Sequence, residues 1–309
     1  MKTASDQEYC DSFVSLRALA RQLGTSTGQF KNLAREAERS YREFEVIKPN
    51  GKKRPICDPS PELKEVQRQI VETIFNRIPL PSYVQGGVRG RSAYSNALVH
   101  AGNQRLVTID IESFFTNVSN LHVYSMWIDL GFCTKLSGWL AKLTTRHGAL
   151  PQGAPTSTPI ANRILLKADE RICKAAKDRG LAYSRYIDDL AVSGEYPEPM
   201  IGVVVGELQK LGLRSSKKKM SHRSRGNAKP QSITGYLLNN GKPSISKASR
   251  DATRQQIHGL KFMNQKSWEF RKRLESISGQ IFHIRKTNPG SADRLRRQLA
   301  TTLKEMGLD

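Results

Sequence analysis

The residues in this sequence best placed to do chemistry are three carboxylates. Asp110 stands near the end of residues 105–111, an apolar and β-branched stretch that reads as a strand. Asp188 and Asp189 are adjacent, at the polar centre of residues 181–194, whose two apolar runs read as a hairpin. A carboxylate at the end of an apolar strand needs a partner or a cation, because an unpaired buried charge is costly. Neighbouring carboxylates repel each other unless a cation neutralises them. If the hairpin lies beside the strand, the three converge in an oxygen-rich, thiol-free site of the kind that suits Mg²⁺. Two such ions about 3.5–4 Å apart would activate a hydroxyl and stabilise a leaving pyrophosphate. Phosphoryl transfer needs little beyond this and good positioning. Taken singly, each residue also has a plainer reading, since Asp at a strand end is commonly a cap and Asp-Asp is common in turns.

Bulk properties narrow the class of partner. The 309 residues, 38% hydrophobic, suffice for a sizeable core in one large domain or a few coupled lobes. Fifty Lys plus Arg stand against 28 Asp plus Glu, a formal charge of +22. That balance suits a polyanion, because each cation that neutralises a phosphate releases a counterion. It is hard to reconcile with an enzyme of small neutral metabolites, and it exceeds what solubility alone requires. Cys10, Cys57, Cys133 and Cys173 are scattered, with no Cys-x-x-Cys pair, so neither a zinc site nor a disulfide framework is expected. No apolar run approaches the roughly 20 residues that span a membrane, and the N-terminus has no segment of the secretory type. A cytoplasmic protein without a membrane partner is expected.

The elements that must position the carboxylates follow from periodicity and turn residues. Residues 12–44 read as helical, 48–59 as a basic hairpin with Asn50-Gly51 at its tip, and 61–78 as a helix opening on Pro61. A Gly-rich irregular stretch over 83–103 contains a short helix near 93–101. Two helices around Gly131 fill 120–146, and a helix opens at Thr158-Pro159 with Ile160, Ile164, Leu165, Ala168 and Ile172 on one face. A helix at 198–211 and a short strand at 232–238 follow. From residue 241 to the end the chain has helical character, with 15 Lys plus Arg against 6 Asp plus Glu. This order predicts an α+β fold: an antiparallel sheet with helices on one face, then a small basic helical lobe.

With these residues in view, Thr108-Ile-Asp-Ile-Glu-Ser-Phe-Phe115, the thirteen residues from Leu150-Pro-Gln-Gly to Asn162, and Tyr186-Ile-Asp-Asp189 resemble the first three palm motifs of reverse transcriptases, in order and at matching spacing. The resemblance implies a right-hand polymerase with an antiparallel-sheet palm, fingers and a helical thumb. The implied boundaries are 1–102 for N-terminal helices and fingers, 103–240 for the palm with finger helices at about 131–149, and 241–309 for the thumb. It implies that Asp110 and Asp188 hold both Mg²⁺ ions with the Ile111 carbonyl, and that Asp189 completes the negative site. Phe115 falls where the family places its sugar gate, with a core Phe as the alternative. Gln152 and Gly153 would meet the incoming nucleotide, Gly153 by letting the backbone approach closely. Lys52, Lys53 and Arg54 resemble the segment that grips the deoxynucleoside triphosphate, with Arg54 favoured, then Lys52; a solvated basic hairpin is the alternative. Lys217-Lys218-Lys219 resembles the fourth palm motif, in which Lys219 would protonate the pyrophosphate or simply face phosphate.

Two shorter signatures resemble those of retron reverse transcriptases: Asn96-Ala-Leu-Val-His100, and Ile233-Thr-Gly-Tyr236 with Ile where the family has Val. Ile187 stands where many of those enzymes have Ala. This resemblance implies that Asn96, His100, Thr234 and Gly235 contact RNA, although His100 could instead be satisfied by a local hydrogen bond and Thr234-Gly235 could be an ordinary turn. It further implies a cognate structured RNA, partly copied into DNA from an RNA 2′-hydroxyl to leave a branched hybrid. The basic helices, with Trp268 and Phe270, would grip that RNA, and such families commonly act in antiphage defence beside an effector protein from the same locus. The alternatives are a group II intron-like or other bacterial reverse transcriptase, and a non-catalytic RNA-binding scaffold.

Overall fold

The computed structural model describes residues 15–47, 51, 53–216, 220–224, 230–238 and 241–308. Its centre is a four-stranded antiparallel sheet in the order β4-β5-β3-β6, formed by β3 (Arg105–Asp110), β4 (Ala182–Tyr186), β5 (Asp189–Gly194) and β6 (Ser221–Ser224). In register, β3 places Asp110 opposite Asp189 and Leu106 opposite Ser193, while β4 places Tyr186 opposite Asp189. β6 joins the other edge of β3, where the Thr108 and Ser221 hydroxyls are 2.7 Å apart. This strand escapes sequence reading, because Ser-His-Arg-Ser lacks the apolar alternation that marks a half-buried strand.

The two-residue period of a strand assigns the faces. Val107, Ile109, Leu190 and Val192 enter the larger core, whereas Leu106 and Ala191 enter a second core with Ala97, Tyr236 and the C-terminal helices. Both faces are therefore covered, which corrects the expectation of helices on one face alone. Helices α6 (Asn120–Asp129), α7 (Thr134–Thr144), α8 (Ser157–Ile164), α9 (Leu166–Lys177) and α10 (Met200–Lys210) contribute buried side chains to the larger core. The expected helix from Thr158 is in fact α8 and α9, separated at Leu165. On the second face lies α4 (Ala93–His100), started by a capping box in which Ser92 and Ser95 satisfy each other's backbone N–H groups.

Upstream, 12–44 is not one helical region. α1 (Leu16–Gln22) and α2 (Thr27–Glu36) are separated at Gly24, whose φ is +68°, and residues from 41 onward are strand. β1 (Tyr41–Ile47) pairs with β2 (Lys53–Pro59) as an antiparallel hairpin that leads into α3 (Pro61–Thr73). The hairpin's first strand thus starts earlier than expected, and its tip residue Asn50 lies outside the described residues. After α10 and β6, a small hairpin of β7 (Ser232–Ile233) and β8 (Tyr236–Leu237) leads to α11 (Lys247–Gly259), α12 (Trp268–Arg285) and α13 (Pro289–Glu305). The short α5 (Phe114–Asn117) follows β3. Among the described residues no helix is long and apolar enough to cross a membrane.

One buried ion pair fixes the carboxylate hairpin from behind. Arg185 on β4 and Asp169 on α9 are both essentially inaccessible, and Arg185 makes bonds of 2.9 Å and 2.7 Å to the Asp169 carboxylate through Nε and Nη2. Tyr183 donates to the same carboxylate at 2.6 Å. Removing one member of such a pair leaves an uncompensated buried charge. Asp169→Asn is expected to lower stability by about 3–5 kcal/mol, read from urea unfolding.

Candidate active site

The carboxylates converge because two turns meet at the end of the sheet. Ile111 N–H donates to the Asp188 carbonyl at 3.0 Å, and Ser216 N–H donates to the Asp110 carbonyl at 2.7 Å. Asp110 is nearly buried, Asp188 is half-buried and Asp189 is exposed. All three line one cleft of about 890 Å³. Strain is concentrated in its two turns. Ser113, just after β3, has φ +46°, and Ile187, just before Asp188, has φ +62°. A β-branched residue in that region is an outlier that costs on the order of 1–3 kcal/mol and persists only where its surroundings over-determine it.

Here the surroundings are visible. Arg185 Nη1 donates to the Ile187 carbonyl at 2.9 Å and to Asn162 Oδ1 at 2.8 Å. Gln85 N–H donates to the Arg185 carbonyl at 2.7 Å, and Arg185 N–H donates to the Tyr83 carbonyl at 2.8 Å. Gly86 packs so tightly that a Cβ there would lie 2.6 Å from Ile187 Cγ1 and 2.8 Å from the Tyr186 carbonyl carbon. Sequence reasoning missed Arg185, Asp169 and Gly86. The available signal was a lone charge in the strand Ala182–Tyr186 and an Asp on the apolar face of α9 beside Ala168 and Ile172.

The other predicted residues divide into those the cleft collects and those it does not. Ile111, Phe115, Gln152, Gly153, Lys53 and Arg54 line it with the carboxylates. Phe115 is half-buried and packs on the buried Phe114 with ring centroids 5.5 Å apart. Gly153 has φ +114°, and a Cβ there would lie 2.9 Å from Ile56 Cγ2 and 3.1 Å from the Cys57 carbonyl oxygen. The close approach this glycine permits is thus to strand β2, reinforced by Cys57 N–H donating to the Gln152 carbonyl at 2.7 Å. That clamp brings Arg54 to the carboxylate cleft. Lys53 is paired with Glu45 at 2.7 Å. Lys52 and the Lys217–Lys219 run, with Lys219, lie outside the described residues.

Asn96 and His100 lie elsewhere. They are 1% and 0% exposed and offer no surface to an RNA in this structure, which corrects the expectation of direct contact. His100 bonds Ser193 Oγ through Nδ1 at 2.6 Å and Ser184 Oγ through Nε2 at 2.7 Å. These partners are distant in sequence, on β5 and β4, so the expected local bond is not the one that forms. Thr234 is half-buried and Gly235 exposed in the β7–β8 turn, with φ values of +45° and +86°. In the C-terminal lobe Trp268 is exposed with Lys272 Nζ over its ring at 4.5 Å, whereas Phe270 is a core residue and unavailable to RNA.

The comparisons with known proteins agree with this geometry. Residues 46–266 match the family model described as reverse transcriptase (RNA-dependent DNA polymerase). The chain therefore belongs to the reverse transcriptase family and is an RNA-directed DNA polymerase by class. Its place within that family is among the retron reverse transcriptases. It is 30% identical over 254 residues to the retron Se72 reverse transcriptase of Salmonella heidelberg (strain 579083-10), covering 79% of this chain and 67% of that protein. It is 31% identical to the retron Mx162 reverse transcriptase of Myxococcus xanthus, covering 92% of this chain and 66% of that protein. With the retron Ec86 reverse transcriptase of Escherichia coli the identity is 28%, covering 95% and 91%. The chain thus spans about two thirds of the length of the first two relatives.

Burial pushes the His100 imidazole down to about 3. The folded state holds it neutral, while an exposed imidazole protonates near 6.5. As pH falls below about 6.5 the unfolded state takes up the proton first, so this part of the stability is present above that pH and is lost progressively toward pH 3. The stability difference between wild type and His100→Gln is expected to shrink by about 2 kcal/mol from pH 7 to pH 5, read from urea unfolding at each pH.

Proposed function

We propose that this chain copies part of a cognate structured RNA into DNA by two-metal nucleotidyl transfer, starting from an RNA 2′-hydroxyl and leaving a branched RNA–DNA product of the msDNA kind. The observation that carries the reading is the register that sets Asp110 beside Asp189, with Asp188 tied to Ile111, in a cleft also lined by Phe115, Gln152 and Arg54. The central sheet is read as the palm within 103–240. Residues 1–102 supply N-terminal helices and fingers, joined by finger helices at about 131–149, and 241–309 form the thumb.

The metal fits by its donors. The cleft lining contains carboxylate, carbonyl, hydroxyl and amide oxygens and neither thiol nor imidazole, a set that suits Mg²⁺ over zinc. Among the described residues no three His, Cys, Asp or Glu side chains form a group that could hold an ion. Ligands beyond the carboxylates are therefore assigned to the Ile111 carbonyl and to nucleotide phosphates. Asp110 and Asp188 would hold both ions and Asp189 would add negative charge. Bound there, Mg²⁺ would lower the pKa of the attacking hydroxyl and offset charge on the leaving pyrophosphate.

The side chains supply positioning and selection. Arg54 is the residue of choice for the triphosphate, because among the described residues it has no ion-pair partner, unlike Lys53. Lys52 remains a second candidate, and Lys219 a candidate proton donor. Phe115 would meet a ribose 2′-hydroxyl and exclude it, and Gln152 would hydrogen-bond the nucleotide or template. The basic lobe would hold RNA and the A-form heteroduplex through phosphates and shape. Antiphage defence beside an effector protein completes the reading and rests on family resemblance.

Replacing Asp188 and Asp189 together by Asn is expected to abolish deoxynucleotide incorporation while RNA affinity stays within about twofold, because the substitution removes charge from the site and not from the basic lobe. Undiminished synthesis by that variant contradicts the mechanism. Phe115→Val is expected to raise ribonucleotide incorporation relative to deoxynucleotide by about tenfold or more, measured as the ratio of kcat/KM values. The nucleic acid copurifying with the protein tests the retron-type product: a small DNA joined to RNA through a 2′–5′ bond supports it, and random cellular RNA alone contradicts it.

A further inference from the structure

The two short signatures that resemble retron sequences, more than 130 residues apart, meet in one hydrogen-bonded chain. Thr234 Oγ1 donates to the Ala93 carbonyl at 3.0 Å, and Asn96 Nδ2 donates to Thr234 Oγ1 at 3.4 Å. Ser184 Oγ donates to Asn96 Oδ1 at 2.6 Å. With its hydrogen committed there, Ser184 must accept from His100 Nε2 at 2.7 Å. His100 Nδ1 then accepts from Ser193 Oγ at 2.6 Å, and Ser193 Oγ accepts from Asn103 Nδ2 at 2.6 Å. Every hydroxyl hydrogen is used once, and one neutral tautomer of His100, protonated on Nε2, satisfies the whole chain. Burial disfavours the imidazolium and so agrees with a neutral ring.

The chain's anchors lie on the elements that carry the catalytic carboxylates. Ser193 shares a face of β5 with Asp189, four residues away, and Ser184 lies on β4, where Tyr186 is opposite Asp189. At its other end Thr234 sits in the β7–β8 turn, and Tyr236, two residues on, reaches His283 of α12 at 2.9 Å. We propose that Asn96, His100 and Thr234 are positioning residues: they form a directed polar strut that ties the carboxylate hairpin to the turn on which the C-terminal basic lobe is hung. The kinetic consequence rests on the polymerase reading given above; the strut itself does not.

Thr234→Val in the full chain keeps the side chain's shape and removes the hydroxyl, whereas Thr234→Ser restores it. Amide hydrogen exchange over residues 182–194 is expected to be about tenfold faster in Thr234→Val and near wild type in Thr234→Ser. Unchanged exchange there in Thr234→Val overturns the strut. With poly(rA)·oligo(dT), Mg²⁺ and dTTP, Thr234→Val is expected to lower kcat about tenfold with KM within about twofold, and Thr234→Ser to recover it; an intact kcat overturns the positioning role. Nitrogen-15 NMR of wild-type His100 supplies an arm that needs no variant to fold. The Nε2–H tautomer, unchanged between pH 5 and pH 8, supports the chain, and an imidazolium or an Nδ1–H tautomer overturns it. Absence of dTTP incorporation by the wild type contradicts the polymerase reading alone, leaving exchange and NMR to decide the strut.

Discussion

The gathering of three carboxylates at the end of one sheet is the constraint on which this structure depends. Asp110 and Asp189 face each other across paired strands, with Asp188 next in sequence, so three carboxylates gather where two turns meet. The backbone of the carboxylate hairpin is fixed from behind. Arg185 supplies much of that hold: its guanidinium is anchored on buried Asp169, bonds the Ile187 carbonyl, and so retains a left-handed β-branched residue next to Asp188. Burial pushes Arg185 down, and Asp169 more than offsets it, so that the guanidinium is held above its ordinary value and stays charged. A hydrophobic isostere could match such a pair in stability; it could not aim a backbone carbonyl. The hold thus acts on orientation as much as on folding free energy.

The second face of the sheet solves a related problem with neutral groups. A charged His100 there would add cost, whereas a neutral imidazole can both donate and accept, and it links the two strands of the hairpin without a net charge. Fully satisfied buried polar groups rigidify and specify; a half-satisfied set would be worse than an apolar core. Much of the chain's positive charge lies elsewhere, with 15 Lys plus Arg against 6 Asp plus Glu from residue 241 to the end.

Much of this was legible in the sequence where local and tertiary signals agree. The strand at 105–111, the hairpin at 181–194, the Pro-started helix at 61 and the short helix near 93–101 have local patterns that survive folding. Residues 41–44 read as helix but belong to strand β1, because pairing with β2 overrides a Glu- and Arg-rich stretch that favours helix. The carboxylates were legible because strands and turns leave their own signature. Arg185, Asp169, Ser184 and Ser193 were not, since what defines them is contact across 16 to 93 residues of chain. Asn96 and His100 were found as a pair, and their burial reassigns what the pair does.

The central claim is that the register of β3 and β5 builds a two-cation site for nucleotide transfer. The most direct test titrates Mn²⁺ into the full chain bound to an RNA template, a DNA primer and a non-reactive dNTP analogue, and follows it by electron paramagnetic resonance. The account predicts two exchange-coupled Mn²⁺ ions per chain in the wild type and loss of the coupled signal in Asp110→Asn. A single uncoupled ion, or a coupled pair that survives Asp110→Asn, would contradict it.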